Sequence, residues 1–236
     1  MMNRENEMKS GFESACRSAP YELTNKQKRY LPIKRFLDVV LAGGASLVLL
    51  PFMLVLAIVI KLDSPGPVLF KQKRVGKNKR YFYIWKFRTM RTDTPKDMPT
   101  HLLKNPDTFI TKTGRFLRKT SLDELPQLWQ CVVGDLTLLG PRPALWNQYD
   151  LIEEREKYGA NEVKPGVTGW AQINGRDELE ISMKAKLDGE YVQMLNTIGW
   201  KADWKIFWRS FGAVLHARGV VEGSNVGVVK KGTVKK

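Results

Sequence analysis

Twenty-two consecutive uncharged residues, Val39 to Ile60 (VVLAGGASLVLLPFMLVLAIVI), limit what this chain can fold into more than any other feature. At the rise of an α-helix they span about 33 Å, the thickness of a bilayer core. A helix on a soluble domain normally carries a polar face, and this run has none, so it reads as a membrane segment; a buried core helix is the competing reading. Both flanks are basic: Lys26, Lys28, Arg29, Lys34 and Arg35 precede it, and Lys61, Lys71, Lys73, Arg74, Lys77, Lys79 and Arg80 follow. The positive-inside tendency keeps both groups on the cytoplasmic side, which a single crossing cannot do. Pro51 divides the run into apolar limbs of 12 and 9 residues, each too short to span. A re-entrant helix over 34–62, breaking near Leu50-Pro51 and returning to the same face, is therefore expected, with Ser46 or a neighbouring element satisfying the freed backbone. A spanning helix is the alternative.

The remainder has the size of one catalytic domain, 63–217, between a flexible lead-in at 1–33 that begins no signal peptide and a loosely ordered tail at 218–236. A formal charge of +15 points to an anionic partner: nucleic acid, an acidic membrane surface or a phosphorylated substrate. Cys16 and Cys131 are far apart, and His101 and His216 lack neighbours at metal-ligand spacing, which argues against a disulfide scaffold or structural zinc.

After the turn Ser64-Pro65-Gly66-Pro67, aromatic and β-branched residues at 68–74 and 81–87 predict a β-hairpin, with Lys86 and Arg88 on one face. Residues 92–114 read as an irregular loop, 115–118 as a short basic element and 136–139 as a strand-like piece. Helices are expected at 144–158 and 177–196. Between them, Lys164 to Arg176 is rich in turn formers and amides, as a pocket-lining loop would be. Trp200, Trp204, Phe207, Trp208, Phe211, Val214 and Leu215 share one face of a helix edged by Lys201, Lys205 and Arg209. That pattern suits an interfacial membrane helix; a core helix is the competing reading. The fold class is α+β, mostly helical.

One stretch carries chemistry out of keeping with the basic chain: Ser121-Leu122-Asp123-Glu124-Leu125-Pro126-Gln127. Ser121 with Glu124 three residues on forms a capping-box pattern, and a carboxylate in a first helical turn is favoured in its ionised form. Two adjacent acids can also meet a cationic or phosphorylated ligand. Arg142, held between Pro141 and Pro143, loses little freedom on binding an anion.

These pieces together resemble the bacterial sugar transferases, the monotopic polyprenyl-phosphate phosphoglycosyl transferases. The resemblance covers about residues 34–210, through Lys34-Arg35 with Asp38, the proline-broken run, Ser64 to Pro67, Phe70 to Gly76, Lys86 to Met90, Arg118 to Gln127, Gly140 to Pro143, Lys164 to Arg176, and Asp188 with Tyr191. It implies transfer of a sugar 1-phosphate from a UDP-sugar to undecaprenyl phosphate, with release of UMP, as the first membrane step of glycan synthesis. Asp123 matches the nucleophile that carries the phosphosugar, and Glu124 the Mg²⁺ ligand. Lys86, Arg88, Arg118 and Arg142 are the candidate phosphate binders, with Gln172, Asn174 and Arg176 near the nucleotide or phosphate. The implied setting is the cytoplasmic face of the bacterial inner membrane, with a homo-oligomer possible in principle and no nucleic-acid partner. The larger members' multispanning region has no counterpart in this sequence, which therefore reads as a minimal catalytic form. A membrane-anchored binder of nucleic acid or another anionic polymer is the competing function; it leaves Asp123 and Glu124 no task beyond capping.

Overall fold

The uncharged run lies within one helix, α1 (Asn25–Asp63), 39 residues long and apolar enough to cross a membrane. The structure, a computed structural model, describes residues 24–94, 106–175 and 179–215. The expected tail at 218–236 and most of the lead-in lie outside them. Helix α1 begins at Asn25, ahead of the boundary expected at 34, because Thr24 and Gln27 form a capping box and Gln27, Tyr30, Lys34, Asp38 and Ala42 bury one face. Residues 25–33 are thus packed helix and no flexible lead-in.

Pro51 lies inside α1, and the chain stays helical through Leu50-Pro51, so the expected break is absent. A proline removes one hydrogen bond, and the turns on either side carry the helix across it. Ser46 does not serve as the expected partner, since its Oγ makes no hydrogen bond. Both ends of α1 nevertheless dock on the same body. Its N-terminal limb packs against residues 127–133 and 137–139, and its C-terminal limb buries Leu56 and Ile60 with Phe87 and Leu117. No α1 residue between Ala42 and Leu56 is buried; Leu47 and Val48 are 74% and 79% exposed.

The hairpin forms as expected. Strands β1 (Leu69–Val75) and β2 (Tyr81–Phe87) pair antiparallel with Leu69 opposite Phe87 and Val75 opposite Tyr81. Helix α2 (Lys112–Thr120) follows, a turn longer than the basic element read from sequence and capped by Thr111. A 3-10 turn (Leu122–Glu124) leads through Pro126 into α3 (Gln127–Val133), which Gly134 ends in a left-handed conformation. Strand β3 (Thr137–Leu139) pairs in parallel with β4 (Gly166–Thr168), part of the stretch read as loop. Around them lie α4 (Tyr149–Glu156), α5 (Trp170–Ile173), α6 (Ile181–Ile198) and α7 (Trp200–Leu215). Tyr30 joins Trp170, Tyr191, Leu195, Ala202 and Ile206 in one core cluster.

The aromatic stripe of α7 faces outward, against the core-helix reading: Trp200, Trp204 and Trp208 are 56%, 55% and 57% exposed, while Ala202, Asp203 and Ile206 pack inward. Asp203 accepts from Tyr30 Oη at 2.6 Å, Lys34 Nζ at 2.7 Å and Tyr191 Oη at 2.8 Å. One turn along α1, Asp38 accepts from the Thr137 hydroxyl and from Leu138 N. A seam of buried polar groups therefore fastens α1 to α7 and to β3.

Candidate active site

The site forms where the hairpin, the 3-10 turn and the segment after β3 meet. Helix α2 ends at Ser121, which adopts a left-handed conformation (φ 58°) and makes no side-chain cap bond. The capping box expected from Ser121 and Glu124 is therefore absent: Ser121 closes α2 and its carbonyl accepts from Glu124 N to start the 3-10 turn, but its left-handed backbone leaves the side chain out of the cap. Glu124 is released from a capping role and takes two cations. Lys86 Nζ donates to its Oε1 at 2.7 Å, and Arg142 Nη2 donates to the same oxygen at 2.8 Å. Arg142 Nη1 stands 3.4 Å from Oε2.

Arg142 is fixed from behind. A β-carbon at Gly166 would come within 2.2 Å of Gly140 N, and one at Gly169 within 2.2 Å of Gly140 O, so glycines let the backbones meet just before Pro141-Arg142. The Arg142 carbonyl accepts from Arg155 Nη2 at 2.9 Å, and Arg155 also donates to buried Asp188 at 2.6 and 2.8 Å. Burial pushes the Asp188 carboxyl up, against the pull of Arg155. The sequence reading matched Asp188 and gave it no role; Arg155, in a helix with a mixed charge pattern, was missed.

The two acids of the dyad differ in state. Burial alone would raise Glu124, but Arg142 and Lys86 together outweigh it and hold the carboxyl well below the usual range. Asp123 is pushed up: burial dominates, Glu124 adds to it, and Lys86, Arg142 and Arg118 offset only part. Its nearest cation is Lys86, at 3.9 Å. The expectation that a helical first turn would keep Asp123 low in pKa is thus reversed, since desolvation exceeds what the short turn supplies.

Of the other expected site residues, Arg118 acts on Asp123 electrostatically and makes no ion pair or side-chain hydrogen bond among the described residues. Arg88 does not join Lys86. It is buried and donates to the carbonyls of Pro65 at 2.8 Å and Ser64 at 2.6 Å, tying the end of α1 to the hairpin. A β-carbon at Gly66 would fall 2.2 Å from its Nη1, which is why that turn carries glycine. Gln172 donates to Val167 O and Asn174 to Trp170 O, so both amides brace their own loop. Arg176 lies outside the described residues. The hairpin's basic and aromatic side chains engage each other: Lys71 lies 5.2 Å from the Trp85 ring, and Lys73 4.1 Å from Tyr81.

Among the described residues no group of three or more His, Cys, Asp or Glu side chains could hold a metal alone. Mg²⁺ is ordinarily held by one or two carboxylates together with substrate phosphates; Glu124 is the ionised carboxylate here, and Lys86 and Arg142 both donate to its Oε1.

A buried aspartate thus lies next to a glutamate paired with two cations, on a body fastened to a helix long and apolar enough to cross a membrane. Residues 29–217 match the family described as bacterial sugar transferase, and the chain belongs to it. It is 41% identical over 75% of its length to an undecaprenyl-phosphate glucose phosphotransferase of Komagataeibacter xylinus, covering 36% of that protein. It is 41% identical over 68% of its length to the UDP-glucose:undecaprenyl-phosphate glucose-1-phosphate transferase of Escherichia coli K12, covering 36% of it. It is 42% identical over 71% of its length to the uncharacterized sugar transferase EpsL of Bacillus subtilis, covering 80%. The chain thus spans about a third of the first two relatives and most of the third.

Proposed function

We propose that this chain transfers a sugar 1-phosphate from a UDP-sugar to undecaprenyl phosphate in two displacements at Asp123. In the first, an ionised Asp123 oxygen bonds to the β-phosphorus while the bond from that phosphorus to the bridging oxygen breaks, and UMP leaves with the electron pair. In the second, an oxygen of the lipid phosphate bonds to the same phosphorus and Asp123 departs as carboxylate. The nucleophile enters as an anion, so neither displacement requires a proton from it, and one phosphate-binding site serves both substrates.

Lys86 and Arg142 bind phosphate oxygens from two sides, and Arg118 supplies a third cation. Mg²⁺, held by Glu124 with substrate phosphate oxygens, would neutralise diphosphate charge that otherwise repels the nucleophile. Two features support operation at the cytoplasmic face of the inner membrane. Both ends of α1 dock on one body with its apolar middle exposed, which keeps the two basic flanks on the side of that body although the helix does not break at Pro51, and α7 offers exposed tryptophans suited to headgroup level.

The observation that carries the reading is the asymmetry of the dyad: Glu124 has Lys86 and Arg142 at hydrogen-bonding distance, while buried Asp123 has only Lys86, at 3.9 Å. Purified protein with Mg²⁺ and a panel of UDP-sugars is expected to release UMP, with multiple turnover only when undecaprenyl phosphate is added. Absence of UMP release across the panel would overturn the proposal.

A further inference from the structure

Gln127 is 1% exposed, and it is the one side chain among the described residues with two buried polar atoms, Nε2 and Oε1, both lacking a hydrogen-bond partner. The other orphaned groups, Ser46, Arg88, Glu162 and Gln172, each leave a single atom unpaired. A buried carboxamide with neither its donor nor its acceptor engaged is destabilising, and an apolar side chain of the same shape would fit the unliganded protein at least as well.

Its place is set by the backbone. Residues 122–133 follow one nearly continuous right-handed helical path: the 3-10 turn, Leu125 (φ −52°, ψ −37°), Pro126 (φ −60°, ψ −18°) and α3. Gln127 therefore shares a face with Asp123, four residues before it, and with Gln130, three after. Side chains on a helix lean towards its N-terminus, which carries the Gln127 amide back towards Asp123. Gln130 shows what that face meets. Its Oε1 accepts from Trp85 N at 2.8 Å, and its Nε2 donates to Tyr83 O at 2.7 Å. The residue after Trp85 is Lys86, which reaches the dyad. Gln127 thus lies one turn after an under-partnered aspartate and one turn before a glutamine bonded through both its oxygen and its nitrogen.

We infer that Gln127 is a phosphate-binding residue whose Nε2 donates to a non-bridging oxygen of the phosphoryl group taken up by Asp123. The assignment rests on the proposed phosphoglycosyl transfer. A phosphorus that bonds to Asp123 must reach a carboxylate whose side chain is 12% exposed, which sets its oxygens within about one helical turn of Gln127 along the chain. The unliganded protein carries an unpaired donor there because its acceptor arrives with the substrate.

The test compares wild type with Gln127→Met, near in shape and without hydrogen bonds, using the full chain in detergent. Three quantities are read: the unfolding temperature without ligand, the rate of UMP release without lipid acceptor, and the rise in unfolding temperature caused by Mg²⁺ with inorganic pyrophosphate. The expected result is an unchanged or higher unfolding temperature, UMP release slower by about 10-fold or more, and a smaller pyrophosphate effect. UMP release equal to wild type overturns the inference. So does a clear loss of ligand-free stability, which would mean that a trapped water already satisfies the amide. If wild type itself releases no UMP, phosphoglycosyl transfer fails, and Gln127 is then judged by pyrophosphate alone: equal rises in both proteins overturn it, and a smaller rise in the variant supports it.

Discussion

Two buried aspartates serve opposite ends in this molecule. Asp203, on the inner face of α7, accepts from two tyrosines and a lysine, all within 2.8 Å. Asp123 is almost as deeply placed but has no donor so close; its nearest cation stands 3.9 Å away. The first arrangement saturates a carboxylate so that it holds three elements together. The second leaves a carboxylate with one cation at 3.9 Å and no side-chain hydrogen bond among the described residues. Burial with full hydrogen bonding fixes structure, whereas burial without it keeps a group reactive at the expense of stability.

The strongest test of the contrast is Asp123→Asn. UMP release and any phosphosugar adduct are expected to fall by at least about 1,000-fold, as when a nucleophile is removed, while the unfolding temperature holds or rises because a buried charge is lost. Activity near wild type would remove Asp123 from the role of nucleophile. Asp203→Asn should behave inversely. It leaves Lys34 buried without a counter-charge, so denaturant unfolding should show a loss of about 3–5 kcal/mol, with residual activity tracking the folded fraction. Adding Lys34→Met should restore part of that stability; no recovery would mean that the charge pair is not the source of the loss.

A smaller effect separates the dyad's neighbours by pH. Glu124, held below its ordinary value of 4.5, contributes stability that is present above that value and lost as pH falls through its lowered folded value. Wild type should therefore exceed Glu124→Gln in unfolding temperature most at neutral pH, the gap closing in acid. Asp123, raised above its ordinary 3.8, has the opposite sign: its contribution is present below that value and lost as pH rises through its folded value. The stability advantage of Asp123→Asn should accordingly shrink on acidification. Parallel pH curves for the two variants would contradict the asymmetry.

What could be read from the sequence was whatever depends on neighbours in the chain. The apolar run, the hairpin, the outward aromatic stripe of α7 and the acidic pair all announce themselves locally. What could not be read depends on distant partners. Asp203 is a lone acid between Ala202 and Trp204, and its meaning comes from Tyr30 and Lys34, at the far end of the sequence. Arg88 looked like a companion to Lys86 until the turn after α1 brought carbonyls to its guanidinium. The cap at Ser121 failed because a serine followed three residues on by glutamate looks the same whether the serine opens a helix or, in a left-handed conformation, closes one. The actual capping box, Thr24 with Gln27, lay in a segment read as lead-in.

The docking of α1 at both ends also bears on how this protein comes into being. Tyr30, Lys34, Asp38, Ala42, Leu56 and Ile60 of the helix are buried against the body that carries the dyad, so the helix is part of that body's packing and not a detachable tether. Cutting the helix away would open the Asp203 seam, the support beneath β3 and the cluster around Phe87 together. Docking of the helix and closure of the Asp203 seam are therefore one folding event, and whatever binds the exposed middle of α1 in the docked state also stabilises the body it is fastened to.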